Sequence, residues 1–244
     1  MPTDTTTIIT PLLRKEDLAE GTMAFFLQKP DGFSYIPGQH ATFRIINPSE
    51  TDEEGDSRTF SFITTPGQNE EIGFATRMRD TAFKRILKHA DNGLEIEVKN
   101  PRGSMVLPQD STRPLVFLAG GIGITPLISM IRDATRTQSQ QKISLFYANR
   151  TIAQTAFLQD LTEMAGKNPN FTFIPTMTQE DQNVWKGETG RVNEQLVRKY
   201  VPSFENTVFY LAGPTGMVNG MTDLLTSMGI DSLFIKSEDY GEYK

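Results

Sequence analysis

The chain has 244 residues, of which 37% are hydrophobic and 22% are charged, so it is long enough for one large domain or two of ordinary size. Its formal net charge of -6 argues against nucleic acid as a partner, because phosphate binding needs a basic face. The sequence has no cysteine and only two histidines, which excludes disulfides and cysteine-bound zinc or iron–sulfur centres and leads us to expect no intrinsic metal centre.

Membrane insertion is not expected from this sequence. Its apolar runs are much shorter than the roughly 20 residues that span a bilayer. Residues 1–17 do not combine a basic start with an apolar stretch, so they do not resemble a signal peptide, and we expect a cytoplasmic location. Without cysteine, any redox chemistry must come from a bound organic cofactor.

Up to about residue 108 the sequence consists of short β-prone runs separated by turn residues. The runs cover residues 22–28, 41–46, 58–65, 72–78 and 94–98. Their regular spacing predicts an antiparallel β-barrel or sandwich. One amphipathic helix interrupts the series, with its apolar stripe at residues 83–90 and Thr81 in the N-cap position. We interpret the acidic segment 51–56 as a solvated hairpin tip.

From about Arg113 the pattern changes to apolar strands that alternate with amphipathic helices. The predicted strands are residues 114–119, 143–148, 171–176, 208–212 and 233–235. Five such strands predict a doubly wound, parallel α/β domain. We therefore expect two domains, an antiparallel β-barrel over residues 1–110 and a Rossmann-like domain over residues 111–244. The methionines of the last long helix fall at core spacing.

Two glycine-rich turns of the second half each join an apolar strand to a helix. In residues 120–126, glycines permit a tight turn and close approach of a diphosphate, Thr125 can cap the helix, and Pro126 suits its first position. Residues 213–217 repeat this arrangement after the fourth strand. Two such turns at strand ends predict a dinucleotide crevice. Each turn alone is also compatible with a purely structural strand–helix connection.

The strand at residues 58–64 has a face that suits a ligand with phosphates and a flat ring. Alternation places Arg58, Phe60 and Thr64 on one face and Ser61 on the other. Arginine forms forked contacts with phosphate, and Phe60 can stack on a ring. An ordinary strand with a surface arginine is the alternative.

Taken together, these motifs resemble the ferredoxin–NADP⁺ reductase superfamily, without an attached iron–sulfur or haem domain, over roughly residues 8–244. The motifs are Arg58-x-Phe60-Ser61-x-x-Thr64, Gly120-Gly121-x-Gly123-x-Thr125-Pro126, Gly213-Pro214 and Glu238-Asp239-Tyr240. The resemblance implies a barrel that binds FAD and a following domain that binds NADPH or NADH. It also implies that electrons pass from NAD(P)H through the flavin to a separate acceptor, such as a ferredoxin, a flavodoxin or an oxygenase component.

The resemblance assigns roles to individual residues of the barrel. Arg58 would bind the FAD pyrophosphate together with Thr81, Phe60 would stack in place of the usual tyrosine, and Ser61 would lie beside flavin N5. The remaining residues expected to contact the flavin are Thr59, Thr64 and Arg77.

In the second domain, the resemblance assigns the nucleotide to the two glycine-rich turns. The residues expected to bind it are Gly121, Gly123, Thr125, Pro126, Gly213, Pro214 and Met217. Tyr240 would cover the flavin face on which the nicotinamide lands, and Glu238 would approach Ser61. Asn149 and Arg150 follow the second strand, where no acid is present to receive a ribose hydroxyl, which favours NADPH.

Two other functions stay open on the sequence alone. A free-flavin reductase would use the flavin as a substrate, and a non-catalytic sensor would keep only the binding sites. The colour of the purified protein, and its bleaching by NAD(P)H, would distinguish these alternatives.

Overall fold

The structure, a computed structural model, describes residues 7–67 and 70–241. Residues 1–6, which begin the predicted barrel domain, and residues 242–244, which end the predicted Rossmann-like domain, lie outside the described residues. Residues 1–6 are also the start of the segment 1–17, which does not resemble a signal peptide. The described chain forms two six-stranded sheets. The strands of the first are β1 (Ile8–Ala19), β2 (Thr22–Gln28), β3 (His40–Ile45), β4 (Ser57–Ser61), β5 (Glu71–Arg77) and β6 (Glu95–Val98).

The first sheet is antiparallel and closes on itself. Its order is β4-β3-β6-β1-β2-β5, and a bridge between Phe62 and Phe74 joins the two end strands. Beside this bridge the Ile63 N–H donates to the Gly73 carbonyl over 2.9 Å. Phenylalanines from several strands, including Phe25 and Phe43, fill the interior at 0% exposure. The predicted antiparallel barrel is confirmed.

Strand β1 is absent from the sequence prediction. It contains Pro11 and the charged residues 14–17, so its side chains do not follow a simple alternation of apolar and polar types. It is a strand because its backbone pairs with β2 along one edge and with β6 along the other. Helix α1 (Ala82–His89) packs Phe83 and Leu87 against the barrel core, as its stripe predicts.

The second sheet is parallel, in the order β10-β9-β8-β7-β11-β12. Its strands are β7 (Leu115–Gly120), β8 (Ile143–Asn149), β9 (Phe171–Met177), β10 (Glu188–Thr189), β11 (Val208–Gly213) and β12 (Ile235–Asp239). The accompanying helices are α2 (Ile124–Arg136), α3 (Leu158–Lys167), α4 (Glu194–Tyr200) and α5 (Thr215–Ser227).

Helices cover both faces of the parallel sheet. Leu127 of α2 and Leu161 of α3 belong to one apolar core, while Val197 of α4 and Leu225 of α5 belong to another. The predicted doubly wound domain is confirmed, with two differences in its strands. The structure adds the two-residue edge strand β10, and the predicted strand 233–235 is largely a 3₁₀ turn that leads into β12.

The barrel and the parallel domain are joined by a continuous interface. Ala24 and Ala75 of the barrel share an apolar core with α2. The Gly38 N–H donates to Ser129 Oγ of α2 over 2.8 Å. A side chain at Gly38, where φ is +96°, would place its Cβ 1.9 Å from the Met105 carbonyl oxygen, so this turn requires glycine. No described helix has the length and apolar content needed to cross a membrane.

Candidate active site

The tail after β12 returns to the barrel and joins the two domains at one point. The Tyr240 hydroxyl lies 3.3 Å from Ser61 Oγ at the end of β4. The Tyr240 N–H donates to the Gly213 carbonyl over 3.1 Å, which holds the tail on the second glycine-rich turn. The structure therefore brings together Ser61 and Tyr240, which are 179 positions apart in the sequence.

Glu238 reaches this point from β12, next to Tyr240. Its Oε1 lies 3.6 Å from Nδ1 of His40, and His40 is the β3 residue that pairs with Ser61. Glu238 thus approaches Ser61 through its neighbours, and it faces His40, which the sequence analysis did not single out. Among the described residues, His40 Nδ1 is buried without a hydrogen-bond partner, so Glu238 is the group that faces it.

The tyrosine at this junction is held in its neutral form. Burial raises the pKa of Tyr240 far above its ordinary value, and the nearby Glu238 carboxylate raises it further. Hydrogen bonds with Ser61 and Thr125 act in the opposite direction but are the smaller effect. Tyr240 therefore keeps its hydroxyl proton and can donate it in a hydrogen bond at neutral pH.

A cavity of about 180 Å³ lies beside this junction, between the barrel and the parallel domain. It is lined by Thr59, Phe60, Ser61, Ala75, Thr76, Arg77, Arg79, Lys84, Ile122, Thr125 and Tyr240. Phe60 stacks on Phe74, with the ring centres 4.6 Å apart and the planes 5° apart, so one face of its ring is already covered. The cavity thus combines aromatic walls, hydroxyl groups and cations, which suits a planar anionic ligand.

Thr64, which the sequence analysis expects to contact the flavin, is not among the residues that line this cavity. Its hydroxyl lies 2.7 Å from the Tyr35 hydroxyl and accepts a hydrogen bond from the Gly73 N–H over 3.0 Å. Because β4 ends at Ser61 and the chain then bridges to β5, Thr64 belongs to the closure of the barrel.

The predicted pyrophosphate-binding group is built as an anion cradle, which we define as the Arg58 guanidinium, the Ala82 N–H at the start of α1 and the Thr81 hydroxyl. Asp52 of the acidic loop sits in it: its Oδ2 accepts from the Ala82 N–H over 2.6 Å, and its Oδ1 lies 3.4 Å from Arg58 Nη2. The hydrogen bond from Ala82 lowers the pKa of Asp52 below its ordinary value. Segment 51–56 is the connection between the paired strands β3 and β4, as predicted, and Thr51, Glu53 and Glu54 are exposed, but Asp52 turns inward to the cradle.

Thr81 occupies the predicted N-cap position but does not cap the helix with its side chain. Its Oγ1 is buried, and within the described part of the chain it has no hydrogen-bond partner. The carboxylate of Asp52 shows that the cradle accommodates an anion, and the Thr81 hydroxyl offers an additional donor. These residues fit the diphosphate of a flavin dinucleotide.

Two cations of the cavity were not found by the sequence analysis. Lys84 donates from Nζ to the Arg77 carbonyl over 2.7 Å, and Arg79 lines the cavity beside it. Burial, together with the charges of Arg79 and Arg58, lowers the pKa of Lys84 to about 8. The only sequence signal was the density of basic residues around Thr81.

The nucleotide side of the cleft consists of two adjoining cavities. The larger, of about 490 Å³, is lined by Ala148, Arg150, Arg191, Val192, Pro214, Gly216, Met217 and Met221. The smaller, of about 180 Å³, is lined by Arg77, Gly120, Gly121, Ala148, Asn149, Arg150, Gln154, Thr178, Pro214 and Met217. Arg77 also lines the barrel cavity, so the three spaces follow one another along a single cleft.

Polar side chains in the nucleotide cavities are placed for a ligand. Asn149 is 6% exposed, and in the described regions its Nδ2 is buried without a hydrogen-bond partner. Arg150 lines the same cavity as Arg191, which the sequence analysis missed because it lies on a loop after β10. Met217 and Met221 also line this cleft, so the methionine stripe of α5 is not only core.

The first glycine-rich turn differs from its prediction in detail. Helix α2 begins at Ile124 after a 3₁₀ turn, so Thr125 is inside the helix and donates to the Ile122 carbonyl instead of capping. Pro126 is its third residue, not its first. A Cβ at Gly123 would lie 2.2 Å from the Ala212 carbonyl oxygen, so this glycine allows the turn after β7 to pack against the end of β11. Gly120 and Gly121 of this turn line the nucleotide cavity.

Metal binding has no support in the described residues. Across residues 7–67 and 70–241, histidine, aspartate and glutamate side chains nowhere form a group of three or more that could hold a metal ion.

Comparisons with known proteins agree with this architecture. Residues 117–223 match the oxidoreductase NAD-binding domain family. The chain is 28% identical over 217 residues to the propane 2-monooxygenase reductase component of Mycolicibacterium goodii, covering 86% of this chain and 60% of that protein. It is 27% identical over 208 residues to the anthranilate 1,2-dioxygenase electron transfer component of Acinetobacter baylyi, covering 84% of this chain and 58% of that protein.

Among solved structures, a ferredoxin NADP⁺ reductase from Neisseria gonorrhoeae superposes with a TM-score of 0.80 at 18% identity, covering 96% of this chain and 98% of the other. That likeness is one of fold. The resemblance predicted from the sequence motifs is confirmed. The chain spans about 60% of the length of the curated relatives described above.

Proposed function

We propose that this chain, which has the fold and the NAD-binding domain of the ferredoxin–NADP⁺ reductase superfamily, is a flavin-dependent oxidoreductase that transfers electrons from NAD(P)H to a separate acceptor. The observation that carries the proposal is the shared cleft. Phe60 and Ser61 of the barrel line one cavity with Thr125 and Tyr240, and Arg77 continues it into the nucleotide cavities. Bound FAD would supply the redox chemistry by accepting a hydride from the nicotinamide.

The role of the protein in this proposal is positioning. Ser61 and Tyr240 lie in contact at the junction, so they would orient the flavin ring and the nicotinamide against each other. Neutral Tyr240 can move aside without leaving a charge behind, since its hydroxyl keeps its proton. Hydride transfer needs no side chain as general acid or base, so the residues of this cleft need only bind and orient the two reacting rings.

NADPH is the coenzyme that the cleft favours. Arg150 and Arg191 line the same cavity and offer two guanidinium groups for a 2′-phosphate. Asn149 is the last residue of β8, and Arg150 follows it. An acidic residue at the end of this strand would select NADH.

An oxygenase component is the acceptor we favour over a ferredoxin or a flavodoxin. Of the two relatives described above, one is named as the reductase component of a monooxygenase and the other as the electron transfer component of a dioxygenase. A cytoplasmic location belongs to the same proposal, since NADH and NADPH are supplied there.

The first test uses the purified protein under anaerobic conditions. The protein should be yellow, and NADPH should bleach it faster than an equal concentration of NADH. Colour without bleaching would favour the non-catalytic sensor, and a colourless protein that consumes NADPH only with added flavin would favour the free-flavin reductase.

A variant sharpens this test. Ser61→Ala should slow anaerobic bleaching by roughly tenfold to a hundredfold while flavin content is retained, because it removes a hydroxyl at the junction. Ser232→Ala, at an exposed position, is the control and should bleach like the parent protein. Equal rates for the two variants would contradict the assigned position of Ser61.

A further inference from the structure

The anion cradle of the barrel is filled by a residue of the chain itself. Asp52 contacts both the Ala82 N–H, over 2.6 Å, and Arg58 Nη2, over 3.4 Å. These are the two groups that would hold the diphosphate of FAD. The Asp52 carboxylate occupies donors that a diphosphate would use and repels its charge, so the diphosphate must displace Asp52 to make these contacts.

The loop around Asp52 adds to this competition. Glu54 Oε2 lies 2.9 Å from Arg58 Nη2, while Glu53 and Asp56 are in the same short segment. The side chain of Glu54 is 64% exposed, so its ion pair is weakened by solvent, whereas Asp52 at 28% makes the better-shielded contact. Asp52 is therefore the main internal competitor.

Contacts of Arg58 would keep the anion cradle in place after Asp52 leaves it. Arg58 Nη1 also donates to three backbone carbonyls, those of Glu54, Gly55 and Ser57, over 2.9, 3.0 and 2.7 Å. The Ser57 carbonyl belongs to β4, so it would hold the guanidinium near the cradle even when the loop moves. The Thr81 hydroxyl, buried without a partner among the described residues, would gain one from an incoming phosphate.

We propose that Asp52 determines which flavins the barrel selects, because a dinucleotide flavin must displace its carboxylate from the anion cradle and a flavin without phosphate need not. The inference rests on the proposed flavin-binding function. It predicts that Asp52 weakens the affinity for FAD and leaves the affinity for riboflavin unchanged.

The test measures dissociation constants for FAD and riboflavin by quenching of flavin fluorescence, in the full chain freed of flavin. Asp52→Asn removes the charge but keeps an oxygen that can accept from the Ala82 N–H, so the start of α1 stays capped. Glu53→Gln is the matched control. It removes the same charge from the same loop at an exposed residue that makes no hydrogen bond or ion pair with the described part of the chain.

Asp52→Asn should bind FAD about tenfold more tightly than the parent chain, with riboflavin affinity unchanged, and Glu53→Gln should resemble the parent chain. The inference is overturned if Asp52→Asn binds FAD no more tightly than Glu53→Gln, or gains equally for riboflavin. If neither the parent chain nor any variant binds a flavin, both the proposed function and this inference are wrong. Binding of both flavins without a selective effect of Asp52→Asn overturns this inference alone.

A second measurement uses the unaltered chain and does not depend on the folding of a variant. A glutamate-specific protease can cut beside Glu53 and Glu54. Saturating FAD should speed this cleavage at least twofold relative to riboflavin, because the loop is released from the cradle. Protection of the loop by FAD would show that Asp52 stays in place and would overturn the inference.

Discussion

Replacing Gly123 by alanine tests how closely the two glycine-rich turns must approach each other. The backbone of Gly123 has φ -58° and ψ -10°, which any residue adopts, so the substitution causes no backbone strain. The new methyl group would lie 2.2 Å from the Ala212 carbonyl oxygen, 2.4 Å from its carbon and 2.6 Å from Gly213 Cα. All three atoms are backbone, so no side chain can rotate to relieve the overlap.

The expected cost follows from these distances. Comfortable contacts of this kind are longer by roughly 1 Å, so the turn after β7 must move away from the end of β11 by about that amount. Overpacking of this kind costs about 1–3 kcal/mol, and backbone overlap places the variant near the upper end, roughly 3 kcal/mol. For a protein of this size that corresponds to a fall in Tm of about 6–12 °C.

Thermal unfolding followed by circular dichroism measures this difference, and Gly220→Ala is the control. A Cβ at Gly220, in the interior of α5, meets no atom within 4 Å, so its alanine should raise stability by about 0.5–1 kcal/mol. The displaced Gly213 turn lines the way to the nucleotide, so Gly123→Ala should also raise the KM for the coenzyme. A Tm within 1–2 °C of the parent chain and an unchanged KM would refute the reasoning.

Three further predictions concern single side chains. Lys84 has a pKa of about 8, and a bound diphosphate should stabilise its protonated amine. The affinity for FAD, titrated by fluorescence, should therefore be highest below pH 8 and fall by up to about tenfold per pH unit above it. Lys84→Met should remove this dependence on pH. Arg191→Ala should raise the KM for NADPH about tenfold in steady-state assays and leave that for NADH nearly unchanged; an equal effect on both would argue against a 2′-phosphate contact. Tyr35→Phe should lower the free energy of unfolding by about 1 kcal/mol in denaturant titrations, because it deletes the buried hydrogen bond to Thr64; no loss would mean that this bond contributes nothing net.

The sequence predicts the strands and helices whose pattern of apolar and polar side chains matches their burial. Strands β7 and β11 are apolar on both faces, and they are identified correctly to within a residue or two. Strand β1 fails because its residues 14–17 are charged, and β10 fails because two residues carry no period. Both exist through pairing with neighbouring strands, which is decided by tertiary structure.

The candidate site shows the same division. Local motifs identify Ser61 and the Gly213 turn, because the local chain geometry determines where those residues lie. The contact of Asp52 with Ala82 spans 30 positions, and no periodicity or motif connects an acidic loop to the start of a later helix. Arg191 was not predicted for the same reason, because it reaches the nucleotide cavity from the loop after β10, a strand that the sequence does not predict.

The distribution of charge explains why global composition was a poor guide to the ligands. The chain carries a net charge of -6, yet five cations line the cleft, namely Arg77, Arg79, Lys84, Arg150 and Arg191, and Arg58 lies in the anion cradle. Net charge reports on long-range encounter, while binding depends on the local field in a cleft that excludes solvent. FAD and NADPH are both polyanions, so concentrated cations are what such a cleft requires. Asp52 and Glu54 are acidic residues paired with Arg58, and the placement of the better-shielded Asp52 against the predicted diphosphate donors is best explained by competition with the ligand.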